Sequence, residues 1–206
     1  MKILFQGDSI TDADRDKNNY HNMGYGYPKY ASKEIINRHP GTDFEFINLG
    51  LAGHRVEHLR DRWQKDCIDI QPDVVSILIG VNDIFHFAWD HIITSLEAYE
   101  ENYRYLLTEI KEKTNAKIII MEQFLLPVPN DNFTRIDLDP KLQITRKLAR
   151  EFADILIPLD GIFAAACVEE APTFWAADGV HPTEAGVRLI AHHYADAFDK
   201  IFLSIK

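Results

Sequence analysis

The sequence predicts a three-layer α/β/α fold around a five-stranded parallel sheet, and three observations predict it. Short apolar runs rich in β-branched residues recur at 3–5, 44–49, 74–79, 118–121 and 155–159, long enough for buried strands and too short for helices. Amphipathic stretches lie between them, and a final stretch of the same kind follows Thr183. Strands that alternate with helices wind into a parallel sheet whose ligands sit at the strand carboxyl ends, beside a topological switch point.

Taken in order, the run at 3–5 opens the chain as the first strand, and 44–49 and 74–79 supply the second and third. Leu96, Tyr99, Tyr103, Leu106, Leu107 and Ile110 share one helical face ahead of the fourth strand at 118–121. Leu138, Leu142, Leu148 and Phe152 mark another crossover helix before the fifth strand at 155–159. Beyond Thr183, the expected N-cap, Val187, Ile190, Ala191, Tyr194, Phe198, Ile201 and Phe202 line one side of a long closing helix. Residues 12–22 and 127–137 read as long loops, and no repeat, low-complexity tract or linker divides the chain, so residues 1–206 form one domain.

Composition narrows the function. The 206 residues are 46% hydrophobic and 26% charged, as in soluble globular proteins. Lys and Arg number 22 against 32 Asp and Glu, a formal net charge of −10, so a phosphate backbone meets repulsion and nucleic acid is not an expected partner. No apolar stretch approaches the roughly 20 residues of a membrane helix, so no membrane partner is expected either. The apolar run after Met1 and Lys2 is too short for a secretory signal, which leads to an expected cytoplasmic location. Cys67 and Cys167 lack zinc-site spacing and read as buried apolar residues.

Four short blocks fall where such a sheet places a site: Gly7-Asp8-Ser9, Asn48-Leu49-Gly50, Gly80-Val81-Asn82-Asp83, and Asp178-Gly179-Val180-His181. A serine hydroxyl is a weak nucleophile unless a base takes its proton and a third group orients that base. Ser9 leaves the first strand on a tight turn, and Asp178 precedes His181 by three residues, a spacing that lets a carboxylate reach Nδ1 while Nε2 points outward. Gly50 offers a backbone N–H and Asn82 a side-chain amide to a developing oxyanion, with Ser9's own N–H as a third donor. Each block alone is more often a turn or helix cap; their joint occurrence in chain order is what points to acyl transfer.

On these blocks the sequence resembles the SGNH hydrolases, also called the GDSL esterase and lipase family, whose four namesake positions match Ser9, Gly50, Asn82 and His181. The resemblance spans nearly the whole chain. Residues 59–63, Pro72-Asp73 and Trp175 are similar to the short intracellular branch of acetyl-xylooligosaccharide esterases. It implies the SGNH variant of a flavodoxin-like fold, Ser9 as nucleophile, His181 as general base and then acid, Asp178 as its orienter, and Ser9, Gly50 and Asn82 as oxyanion donors. The implied reaction needs no metal or organic cofactor, and the implied substrate is a small ester, an acetylated sugar. Members of that branch assemble into homo-oligomers, which leaves the oligomeric state open.

Asp8, Phe85 and Trp175 are expected to contact substrate, the two aromatic residues as pocket walls. Asp12, Asp14, Asp16 and Asn18 mimic the start of a calcium loop, but Lys17 and Met23 occupy the positions that need Gly and a bidentate acid. His54, His58, His86, His91, His192 and His193 lack compact ligand spacing. Two rivals stay open: a thioesterase or lysophospholipase for longer acyl chains, and a non-catalytic flavodoxin-like module that holds phosphate on the Gly7 to Thr11 turn.

Overall fold

The computed structural model describes residues 1–84, 94–128 and 135–205. The chain opens with β1 (Lys2–Gly7), turns through the short α1 (Ser9–Asp12) and enters α2 (Tyr27–Arg38) before β2 (Glu45–Asn48). Next come α3 (Val56–Trp63), which runs on into a π-helical turn at Gln64–Ile68, then β3 (Val74–Leu78), α4 (Leu96–Lys113) and β4 (Lys117–Met121). The chain closes with α5 (Arg135–Phe152), β5 (Ile155–Ile157), α6 (Leu159–Glu169), α7 (Pro172–Trp175) and α8 (Glu184–Ile205).

All five strands are parallel, in the order β2-β1-β3-β4-β5. This is the expected α/β fold. The order reverses between β1 and β3, so the loops that leave those two strands flank the switch point. Ser9 follows one strand and Asn82 the other.

Alternation along the strands builds two cores. Ile3 and Phe5 of β1 join Tyr27, Ile35, Tyr194 and Phe198 of α2 and α8 on one face. Leu4 points the other way, to Val56, Leu59, Trp63 and Tyr103 of α3 and α4. Burial of each such side chain contributes about 1.5–3 kcal/mol. Trp63 also donates its indole N–H to Leu106 O at 3.0 Å, which ties α3 to α4 without an orphaned polar atom.

Several boundaries depart from the sequence-based expectation. The run at 155–159 splits: β5 ends at Ile157, Pro158 has no N–H to extend the ladder, and Leu159 starts α6. The loop expected at 127–137 does not hold at its end, where Arg135, Ile136 and Asp137 belong to α5. Residues 13–22 are turns and irregular backbone, and Asp12 closes α1. Cys67 is buried as expected, whereas Cys167 is only partly covered near the end of α6. Thr183 caps α8, its Oγ1 accepting from Gly186 N at 3.4 Å.

Candidate active site

The site begins with a turn that has almost no room. Gly7 ends β1, and a side chain there would strike both Thr11 and the Leu78 carbonyl of β3. Asp8 then caps α1, its Oδ1 accepting from Ile10 N at 3.0 Å. That geometry lifts Ser9 to the start of α1, partly exposed above a strand buried from Ile3 to Gly7. The nearby Gly50 is equally constrained: a Cβ would abut Asp12 N, Thr11 and the backbone of α1.

Opposite Ser9, the loop between α7 and α8 presents His181. Its Nε2 lies 2.9 Å from Ser9 Oγ, and its Nδ1 lies 2.7 Å from Asp178 Oδ2. The other Asp178 oxygen accepts from Val180 N at 2.9 Å and His181 N at 2.7 Å, so one carboxylate orients both the ring and its own loop. Gly179 allows the turn, with φ +85°. Partial burial works to raise the Asp178 pKa, but the His181 ring and the two backbone donors outweigh it and hold the carboxyl below its usual value. The group is an anion at neutral pH, as an imidazole orienter requires.

Gly50 and Asn82, expected beside Ser9, stand outside the walls of the cleft that Ser9 lines, and each is held by hydrogen bonds of its own. Gly50 N donates to Asn48 Oδ1 at 3.0 Å, and Asn48 Nδ2 donates to Thr11 O at 2.8 Å, which fastens the end of β2 to α1. Asn82 Nδ2 donates one hydrogen to His54 O at 2.9 Å; a primary amide carries two, so this bond fixes the amide and leaves a second donor.

Ser9 and His181 open onto a cleft of about 390 Å³ whose walls include Ile10, Asp12, Tyr25 and Ala52. Asp8 does not reach this cleft: it is 1% exposed beneath Ser9. Burial pushes its carboxyl up to about 7, against the backbone bond to Ile10 and the attraction of His181. Trp175 also lies off the cleft walls, its indole N–H donating to Ala166 O at 3.1 Å and its ring meeting Phe174 edge-on. Phe85 lies outside the described residues, as do His86 and His91.

Sequence reasoning missed Asn48, Tyr25 and Asp83. Asn48 was on view in the Asn-Leu-Gly block, two residues before Gly50, the spacing of an Asx turn. Tyr25 has no sequence signal beyond its glycine neighbours. Asp83 is 1% exposed and accepts from Val56 N at 3.3 Å; burial raises its pKa to about 7. Among the described residues no group of three or more His, Cys, Asp or Glu is arranged to hold a metal ion. No helix there is long and apolar enough to cross a membrane.

Comparison with known proteins adds independent observations. Residues 5–189 match the model of the GDSL-like lipase/acylhydrolase family. An acetylxylan esterase from Geobacillus stearothermophilus is 29% identical over 203 residues, covering 94% of this chain and 91% of the relative. Its crystal structure superposes with a TM-score of 0.86. A protein described as a GDSL-like lipase from Parabacteroides merdae is 38% identical with a TM-score of 0.90, over 95% of this chain and 94% of that one.

Proposed function

The chain belongs to the GDSL-like lipase/acylhydrolase family and is a carboxylic ester hydrolase, and from that premise we propose a serine esterase that removes short acyl groups, acetyl above all, from a carbohydrate. The observation that carries the proposal is the unbroken chain from Ser9 Oγ through His181 to Asp178, at 2.9 and 2.7 Å, at the mouth of a cleft. The substrate class follows the acetylxylan esterase to which the chain is similar.

In this reading neutral His181 takes the Ser9 proton as Oγ attacks the ester carbonyl. Asp178 keeps the proton on Nδ1, so that Nε2 is the base, and stabilises the imidazolium that results. The carbonyl oxygen gains charge beside Ser9 N–H, the second amide hydrogen of Asn82 and Gly50 N–H. Gly50 shares its hydrogen with Asn48 Oδ1 in the resting site, so Asn82 and Ser9 are the donors ready before substrate arrives. His181 returns the proton to the leaving alkoxide, and the cycle repeats with water on the Ser9 acyl ester.

Hydrolysis of 4-nitrophenyl acetate tests the assignment. Ser9→Ala and His181→Ala should each lower kcat by roughly 10⁵–10⁶-fold, with unchanged far-UV circular dichroism. Wild-type turnover in the serine variant would remove the nucleophile from this role. A series of longer acyl esters sets the rival thioesterase or lysophospholipase reading against this one: a rate that climbs with each methylene would favour the rival.

A further inference from the structure

Every residue from Asn48 to Ala52 is tied to β1, to α1 or to the turn that follows α1. Asn48 Nδ2 donates to Thr11 O at 2.8 Å, Leu49 N to Phe5 O at 2.9 Å, Leu51 N to Gly7 O at 3.1 Å and Ala52 N to Asp12 Oδ2 at 2.9 Å. Gly50 is held at both ends. Its N–H donates to Asn48 Oδ1 at 3.0 Å, and its carbonyl accepts from Arg15 Nε at 2.9 Å.

Arg15 makes that bond from an unfavourable position. The residue is 6% exposed, and among the described residues its Nη1 is buried with no hydrogen-bond partner. Burial works to pull the guanidinium pKa down, against the attraction of Asp12 and Asp66. A cation almost out of water with an orphaned N–H costs stability, and an apolar side chain of similar length would fill the same space without that cost.

The backbone that delivers Arg15 is strained as well. Ala13 and Asp14 take φ of 40° and 58°, the left-handed region that residues other than glycine rarely adopt, twice in succession. The turn they make brings Arg15 N within 3.0 Å of Asp12 O and folds the chain back across the end of α1 toward Gly50. Two penalties, one of charge and one of backbone, converge on a single hydrogen bond.

What that bond fixes is direction. Gly50 has no side chain, and a glycine backbone swings more freely than any other. Its N–H reaches a developing oxyanion only by turning from Asn48 Oδ1, and a residue loose at its carbonyl end would turn in many directions. With the carbonyl pinned by Arg15 and the next N–H by Gly7, the motion is confined to the peptide between Leu49 and Gly50.

We propose that Arg15 is a positioning residue of the esterase: through its Nε–H bond to the Gly50 carbonyl it keeps the Gly50 N–H aimed at the oxyanion during acyl transfer. The inference rests on the esterase reading above, in which Gly50 is a donor, and adds to it the side chain that holds that donor.

A pair of neutral variants separates the bond from the charge. Gln carries its Nε2 as many bonds from Cα as Arg carries Nε, so it can renew the donation to Gly50 O, whereas Met fills the same length with no donor. Competent sites are counted by the 4-nitrophenol that a 4-nitrophenyl phosphonate releases as it caps Ser9. The kcat for 4-nitrophenyl acetate is then expressed per site, so that unfolded protein does not enter the rate. Arg15→Met should lower kcat per site by roughly 10–30-fold, less than deletion of a donor, with KM within about twofold of wild type. Arg15→Gln should stay within about threefold of wild type. Equal kcat per site in Arg15→Met and wild type, or a loss confined to KM, would overturn the proposal. So would an Arg15→Gln loss as large as that of Arg15→Met, because the charge and not the bond would then matter. An Arg15→Met protein with no titratable sites would overturn it too, since Arg15 would then hold the fold rather than aim one donor. If wild type releases no 4-nitrophenol from the phosphonate and Ser9→Ala matches its turnover, the esterase reading itself fails, and this inference with it.

Discussion

Ser9 stands on a turn held by packing, whereas Asp178 and His181 stand on a loop held by hydrogen bonds. On the serine side Gly7, Asp8 and Gly50 are buried, and two glycines sit where any side chain would collide with backbone. On the histidine side both side chains are 56% exposed, and the loop is ordered by three hydrogen bonds to a single carboxylate. A packed turn fixes an atom but tolerates no added volume. A bonded loop fails when a donor or acceptor changes. The two regions should therefore break in different ways.

The largest expected effect lies on the bonded side. Asp178→Asn retains an oxygen for the loop N–H groups but places an amide against Nδ1, which favours the tautomer with its proton on Nε2, the wrong nitrogen for a base. We expect kcat to fall by roughly 10⁴-fold with little change in stability. A loss under tenfold would mean that another group orients the ring. Next is Asn82. If it donates to the oxyanion as proposed, Asn82→Ala should lower kcat by roughly 10²–10³-fold with KM nearly constant; a loss confined to KM would move Asn82 from the transition state to ground-state binding.

The packed side should fail through stability. Gly50→Ala forces a methyl against the backbone of α1 and should cost about 1–3 kcal/mol, read as a lower urea midpoint at unchanged slope. Gly161, in α6, supplies the control: a Cβ there meets nothing within 4 Å, so Gly161→Ala should match or exceed wild type. Equal loss in both variants would show that packing at Gly50 is not what matters.

How much of this was legible beforehand follows the same division. The strands announced themselves because a parallel sheet buried on both faces needs continuous apolar runs, and the four blocks sit where those runs stop. Helix α2 was missed because its buried stripe is narrow: Tyr27, Ala31 and Ile35 gain most of their partners from α8, far along the chain. The hydrogen-bonded chain of Ser9, His181 and Asp178 was legible from residue types and spacing. The cleft walls were not. Trp175 looked like a wall by its closeness to Asp178 in sequence, yet its indole N–H found a carbonyl in α6, while Tyr25, which does line the cleft, depends on a turn that closes on α1.

The smallest effect at acid pH, and the sharpest test of packing against hydrogen bonding, falls on Asp8, which belongs to both regions: it caps α1 and lies close enough to His181 to feel its charge. Burial raises its carboxyl from 3.8 to about 7, so between those values the folded protein holds a proton that the unfolded chain has released. Stability from this group is therefore full at low pH, falls as pH rises through about 7 and is flat beyond. Asn caps a helix about as well as Asp and does not titrate. The melting temperature of Asp8→Asn should thus equal that of wild type near pH 4, pull ahead through pH 7 and hold a constant lead above pH 8. Asp83, raised to about 7 by its own burial, repels the Asp8 carboxylate, so the lead includes that coupling as well as the burial of Asp8. A lead that does not vary with pH would mean that the carboxyl is ionised throughout, stabilised in the fold by bonds rather than penalised by burial.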